Sequence, residues 1–142
     1  MTSVFTRIID GELPARFVWR DERVVAFLSI NPVATGHVLV VPIQEVDHWI
    51  DLEPSLWAHV AAVSRRIGRA LAAAFDAPRV GQMIAGFEVP HVHVHVFPAR
   101  DLGDIGFANA DPAPDDADLD AAALRIRAAL RTAPDADAVP ED

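Results

Sequence analysis

His91-Val92-His93-Val94-His95-Val96-Phe97 places three of the chain's six histidines at alternate positions, with valine between them. Period-two alternation of apolar and polar residues is the pattern of a β-strand with two unlike faces. Strand geometry sends the valines to one face and His91, His93 and His95 to the other, about 6.6 Å apart along the strand. A core histidine satisfied by its neighbours explains one imidazole, not a row of three. The internal position and the intervening valines exclude an affinity tag. Two chemistries fit such a row. His-x-His is a common zinc pair, because both side chains leave a strand on one side. Alternatively, an imidazole with an unperturbed pKa of about 6.5 is a populated neutral nucleophile near pH 7. A neighbouring histidine can then orient it or carry a proton.

Working outward, Val80–Ala85 is a further strand before the histidine strand, which runs over His91–Pro98. Upstream, Pro54 opens a long helix at the first-turn position where proline is tolerated. Leu56, Val60, Val63, Ile67, Ala70, Leu71, Ala74 and Phe75 form its apolar stripe, leaving Arg65, Arg66 and Arg69 on a solvated face. His37 to Val41, stopped by Pro42, is a buried central strand. Phe17–Arg20 and Val24–Ile30 are two strands around the turn Arg20-Asp21-Glu22-Arg23. Residues 4–10 are a short helix ended by Gly11 and Pro14. Residues 101–114 are a loop, and Asp116–Thr132 is a last helix with its acids first and its arginines last, as the helix dipole favours. The expected fold is α+β: a five-stranded antiparallel sheet with one long helix, a short N-terminal helix and a C-terminal helix. The valine face of the histidine strand is expected to be buried and the histidine face open.

The 142 residues suffice for one domain with a core. There is no Cys, hence no disulfide and no thiolate metal site. No signal peptide and no membrane-spanning apolar run is visible, so a cytoplasmic protein without a membrane partner is expected. The net charge of −9 is uneven: residues 1–100 carry 9 Arg against 10 acids, and residues 101–142 carry 3 Arg against 11 acids. Such a chain is a poor non-specific nucleic-acid binder, while its near-neutral body does not repel a small anion. Residues 1–132 are expected to be a single domain, and 133–142, rich in Ala, Pro and acid, a disordered tail.

His91 to Phe97 reads His-φ-His-φ-His-φ-φ and so resembles the defining motif of the histidine triad (HIT) superfamily of nucleotide hydrolases and transferases. The similarity extends to Phe5-x-x-Ile8-Ile9-x-Gly11-Glu12-x-Pro14-Ala15, Asp21 to Phe27, Pro32, and Gly36-His37-x-Leu39-Val40-x-Pro42, covering residues 4–98. His95, rather than Gln, at the third position resembles the hydrolase branches, and the phosphoramidase (Hint-like) branch is the closest in kind. The resemblance implies that His93 attacks the α-phosphorus of a nucleotide and forms a nucleotidyl-imidazole, which water then releases. It implies that His95 contacts the phosphate and assists the leaving group, that His91 supports the others, and that His37 is a fourth histidine beside them. Phe5, Ile8, Phe27 and Ile30 match an apolar slot for a purine base, although core packing explains each of them equally well. The implied partners are a purine nucleotide or nucleotide conjugate and a second copy of the chain in a two-fold dimer, to which the long helix offers Trp57 and an Ala-rich surface; no cofactor is implied. Cleavage of dinucleoside polyphosphates, a non-catalytic nucleotide-binding regulatory module, and a metalloenzyme using His91 and His93 are the alternative readings.

The departures from the family pattern are informative. Ser29 stands where Asp often holds the ribose hydroxyls, and it offers one hydrogen bond without the charge. The segment before the triad, Ala85-Gly86-Phe87-Glu88-Val89-Pro90, is shorter, and Glu88 stands where a phosphate-contacting Ser or Thr is expected. A carboxylate there repels a phosphate but suits a cationic part of a substrate, such as a leaving amine; a solvent-facing loop residue is the plainer reading. Many bacterial relatives bind a structural zinc through Cys-x-x-Cys, a later His and the first triad histidine. Here those first three positions are Ser3, Thr6 and Glu45, and hydroxyls are poor zinc ligands, so no metal is expected. His48 and His59 are read as surface and structural residues.

Overall fold

Valine-rich strands and one amphipathic helix dictate a two-layer arrangement, and the computed structural model, which describes residues 2–142, has it. Met1, the first residue of the expected domain, lies outside the described residues. The elements are α1 (Val4–Ile9), β1 (Phe17–Arg20), β2 (Val24–Leu28), β3 (Val38–Pro42), α2 (Pro54–Phe75), β4 (Arg79–Met83), β5 (Val94–Ala99) and α3 (Asp116–Leu130). Short 3-10 turns occupy Trp49–Asp51, Leu102–Asp104, Phe107–Asn109 and Ala136–Ala138. The sheet order is β1-β2-β3-β5-β4, and every neighbouring pair is antiparallel. The fold is α+β, as the patterning predicts. Among the described residues no helix is long and apolar enough to cross a membrane.

The period-two pattern divides the sheet into two faces with different work. Val24, Ala26, Leu28, Val38, Val40, Val92, Val94 and Val96 face Val60, Val63, Ile67 and Leu71 of α2. α3 packs beside α2 and against β1, and joins the same core through Leu119, Ala122, Ala123, Ile126 and Leu130. Each fully buried Val, Leu or Ile side chain among them stabilises the fold by about 1.5–3 kcal/mol. On the opposite face, Val25, Phe27, Leu39 and Val41 lie under Phe5 and Ile9 of α1. Cross-strand register aligns Phe27 with Leu39, Leu39 with His95, and His95 with Met83, so the triad face continues this second, smaller core.

Three expectations need correction. The regular ladder of the triad strand begins only at Val94, because His91 and Val92 turn to other partners: His91 N–H bonds Val89 O at 2.8 Å and Val92 N–H bonds Val46 O at 2.8 Å. The histidine face is not open: His91 is 0% exposed, His93 7%, His95 9% and His37 2%. α1, the 85–89 loop and Phe107 cover it. Nor is the 133–142 segment free. Val139 is buried in the α2–α3 core, Arg66 pairs with Asp135 at 3.0 Å, and Arg131 donates to Pro140 O at 2.8 Å. Composition missed this because one valine and two arginine contacts suffice to dock ten residues on a core already formed.

Candidate active site

The site sits where β3 and the triad strand meet. Gly36, at φ +93°, turns the chain into β3; a Cβ there would lie 2.5 Å from the Phe75 ring, so glycine is required on both counts. The turn delivers His37 beside His95, with His37 Nε2 and His95 Nδ1 2.9 Å apart. A cavity of about 620 Å³ opens above them, lined among others by Phe5, Leu39, Val89, His93, His95 and Phe107.

The hydrogen bonds fix which nitrogen of each histidine carries a proton. A carbonyl only accepts, so the nitrogen facing one must donate. His91 Nε2–H therefore donates to Pro42 O at 2.7 Å, which leaves Nδ1 to accept from Ser3 Oγ at 2.6 Å. His93 Nδ1–H donates to His91 O at 2.7 Å, and its Nε2 keeps a lone pair. On the other side, Val33 N–H donates to His37 Nδ1 at 3.0 Å, so neutral His37 carries its proton on Nε2. That proton goes to His95 Nδ1, which leaves the hydrogen of His95 on Nε2. No buried side-chain nitrogen or oxygen among the described residues lacks a partner, so the unbonded Nε2 atoms of His93 and His95 are accessible. Both rings line the cavity, 4.9 Å apart between centroids. The cavity thus presents one lone pair and one adjacent N–H donor.

Electrostatics keep all four rings neutral. Burial lowers His37 to about 4, helped by the nearby charge of His93. Burial lowers His95 to about 3, and the positive forms of His37 and His93 add to it. Burial also lowers His91 and His93, against the opposing effect of their carbonyl hydrogen bonds. A neutral His93 is the form with a nucleophilic lone pair.

The expected base-slot residues divide. Phe5 lines the cavity, its ring centroid 4.8 Å from that of His93. Phe27 packs edge-on to Phe5 and Phe17 in the smaller core, and Ile8 packs against the same core, so neither lines the cavity. Ile30, past the end of β2, is 69% exposed and also outside it. Ser29 and Glu88 line the cavity. Ser29 Oγ accepts from Asn31 N–H at 3.2 Å, leaving its own O–H to a ligand. Sequence reasoning missed Asn31, Phe87, Phe107, Ala110 and Pro112, which also line it. Phe107 stacks edge-on to His95 at 4.8 Å from a loop that carried no motif.

A sequence model of the HIT domain matches residues 10–102. The chain belongs to the HIT family. An uncharacterised HIT-like protein of Methanocaldococcus jannaschii is 36% identical over 99 residues, covering 67% of this chain and 77% of that protein. Another, from Mycobacterium tuberculosis, is 35% identical over 135 residues, covering 92% and 94%. Among solved structures, a zinc-bound histidine triad family protein of Mycobacterium smegmatis superposes with a TM-score of 0.80 at 31% identity, covering 93% of this chain and 95% of that one. A HIT-like protein of Bartonella henselae, described as involved in cell-cycle regulation, gives 0.79 at 29% identity, covering 90% and 96%.

The structural zinc that the resemblance to bacterial relatives implies does not fit this HIT chain. Ser3, Thr6 and Glu45 do gather around His91 Nδ1, at 2.6, 3.5 and 3.9 Å. They are already satisfied by one another: Thr6 Oγ1 donates to Glu45 Oε1 at 2.7 Å, and Ser3 N–H donates to the same oxygen at 2.7 Å. Two neutral hydroxyls stand where the resemblance implies two thiolates, which a zinc ion binds far better. With both ring nitrogens of His91 engaged, a metal shared between His91 and His93 has no ligand atom to use. His48 caps the turn at Trp49–Asp51, and His59 meets Asp21 at 2.7 Å, both away from the cavity.

Proposed function

We propose that this HIT protein hydrolyses a nucleoside 5′-phosphoramidate or a related nucleotide at the α-phosphorus through a covalent nucleotidyl-His93 intermediate. The observation that carries this reading is the pair of tautomers at the cavity floor: a lone pair on His93 Nε2 beside an N–H on His95. In the first step His93 Nε2 forms a bond to phosphorus and the P–N bond breaks. The departing nitrogen keeps the bonding pair and takes a proton, relayed through His95 Nε2–H, which water in the cavity replenishes. In the second step the hydroxide left by that water attacks phosphorus, the bond to His93 breaks, and Nε2 regains its lone pair. The water supplies OH to the nucleotide and, over both steps, H to the amine. Splitting the displacement in two lowers each barrier. The carbonyl of His91 holds the imidazolium of the intermediate at Nδ1, where charge develops. Phe5 and Leu39 supply an apolar wall for a purine, and Ser29 a hydroxyl for the sugar.

A two-fold homodimer is part of the same reading. β4 is an edge strand that carries charge only at Arg79, its first residue, and leaves Gly81, Gln82 and Met83 without Pro or charge. Sedimentation at micromolar concentration reports a dimer if this is right and a monomer if it is wrong. For the chemistry, intact-protein mass spectrometry during turnover of adenosine 5′-phosphoramidate shows a nucleotidyl adduct. His93→Ala removes both the adduct and turnover while retaining the fold and most nucleotide affinity. Near-normal turnover by His93→Ala defeats the mechanism.

A further inference from the structure

The charge balance of the cavity is unusual for a site that takes a phosphate. The chain has no Lys, and none of its arginines lines the cavity; Glu88 is the one formally charged side chain among the lining residues. Glu88 is exposed at the rim and has no ion-pair or hydrogen-bond partner among the described residues. It lines the same cavity as His93 and His95. Beside it, Phe87 lines the same cavity with 96% of its surface exposed. An unpaired carboxylate and an uncovered aromatic ring are the two groups that attract an organic cation, by Coulombic and cation–π interaction.

We infer that Phe87 and Glu88 form a subsite for a cationic leaving group, so that preferred substrates are nucleoside phosphoramidates whose departing amine carries a further, positively charged ammonium or guanidinium. The inference rests on His93 as the nucleophile. A phosphate anion alone meets only repulsion from Glu88. A substrate bearing a cation a few bonds beyond the scissile nitrogen brings that cation to the carboxylate as the phosphorus reaches His93. The same geometry disfavours polyphosphate leaving groups, which add negative charge at the rim. Glu88 is thereby a specificity-determining residue, acting on the part of the substrate that leaves.

The test uses two adenosine 5′-phosphoramidates of 1,3-diaminopropane, one with its distal ammonium free and one with it acetylated. For the wild-type protein kcat/KM favours the free ammonium by about fivefold or more, an advantage that shrinks as salt is raised. In Glu88→Gln the preference falls to near unity. A wild-type preference that is absent, or one that survives intact in Glu88→Gln, overturns the inference. Calorimetric titration of His93→Ala, with and without Glu88→Gln, reads the same preference as a ratio of Kd values without any chemistry. If neither compound is turned over, the nucleophilic reading fails, yet the Kd ratio still decides the subsite. Equal affinities, or no measurable binding of either compound, overturn it.

Discussion

Acidification should weaken this fold well before its carboxylates protonate, because the buried His37–His95 pair must stay neutral to keep its hydrogen bond. Their folded-state values lie near 4 and 3, against 6.5 when unfolded. Above pH 6.5 both states are neutral at these sites and the full stability is present. As pH falls below 6.5 the unfolded chain binds protons that the folded chain refuses, so stability is lost at about 1.4 kcal/mol per pH unit for each histidine. At pH 5 each contributes a loss of about 2 kcal/mol, and the pair at most about 4 kcal/mol, a large share of a typical folding free energy. Water in the open cavity lessens the cost for His95. The carboxylates whose values are lowered by hydrogen bonding, such as Asp21 and Glu45, lose their contribution only below the ordinary carboxylate range. The window from pH 6.5 to 5 therefore reports the histidines. Urea unfolding at pH 8, 7, 6 and 5 measures it, and His95→Gln should flatten the slope by about 1.4 kcal/mol per unit between pH 6 and 5. Equal stability at pH 7.5 and pH 5 in the wild-type protein, or an unaltered slope in His95→Gln, refutes the buried neutral pair.

Glu88→Ser should tighten binding of adenosine monophosphate by about fivefold at low salt, since removing like charge at about 4–6 Å in a half-wet cleft gains on the order of 1 kcal/mol; calorimetry showing unchanged or weaker binding would place the carboxylate away from the phosphate. Val139→Ala should cost about 1.5 kcal/mol by urea unfolding, from the methyl groups withdrawn from the α2–α3 core; no loss would mean that the last ten residues do not dock. The triple variant Ser3→Cys, Thr6→Cys, Glu45→His should bind one zinc ion per chain through His91, because all three positions already reach within 3.9 Å of its Nδ1; metal analysis after dialysis against a weak chelator checks it.

The fold was legible because its signals are local. Valine alternation at residues 92–96, Pro54 at the start of an amphipathic stripe, and Gly36 before a run of branched residues each specify an element without outside help. What was not legible depends on contacts between distant segments. Phe27 and Phe5 look equivalent as apolar residues, yet only Phe5, on α1, reaches the cavity, while Phe27 on β2 is sealed beneath it. Ile30 fits a slot in one dimension, but β2 ends at Leu28 and the chain turns it outward. Phe107 had no pattern to announce it, because a 3-10 turn in a loop has no period. The burial of the histidine row was missed for a related reason. Alternation tells which residues share a face, and says nothing of what other segments lay upon that face.

The tautomers belong to the same category, and the proposed chemistry rests on them. His91 looks redundant if a triad is counted by its imidazoles, since its ring never meets the cavity. Its ring is clamped between Pro42 O and Ser3 Oγ, while its backbone carbonyl holds His93 Nδ1–H. The clamp fixes the carbonyl, and the carbonyl fixes which nitrogen of His93 is bare. The other half of the site follows the same logic from the opposite side, where the Val33 amide sets His37 and His37 sets His95. Two independent backbone groups thus prepare a lone pair and a proton side by side. Where the family resemblance implies a metal anchor for the first histidine, this chain has the Ser3–Thr6–Glu45 hydrogen bonds. That substitution is tolerable because the anchor has only to hold a ring still, not to carry charge, and a 2.6 Å hydrogen bond in a fully buried site does so.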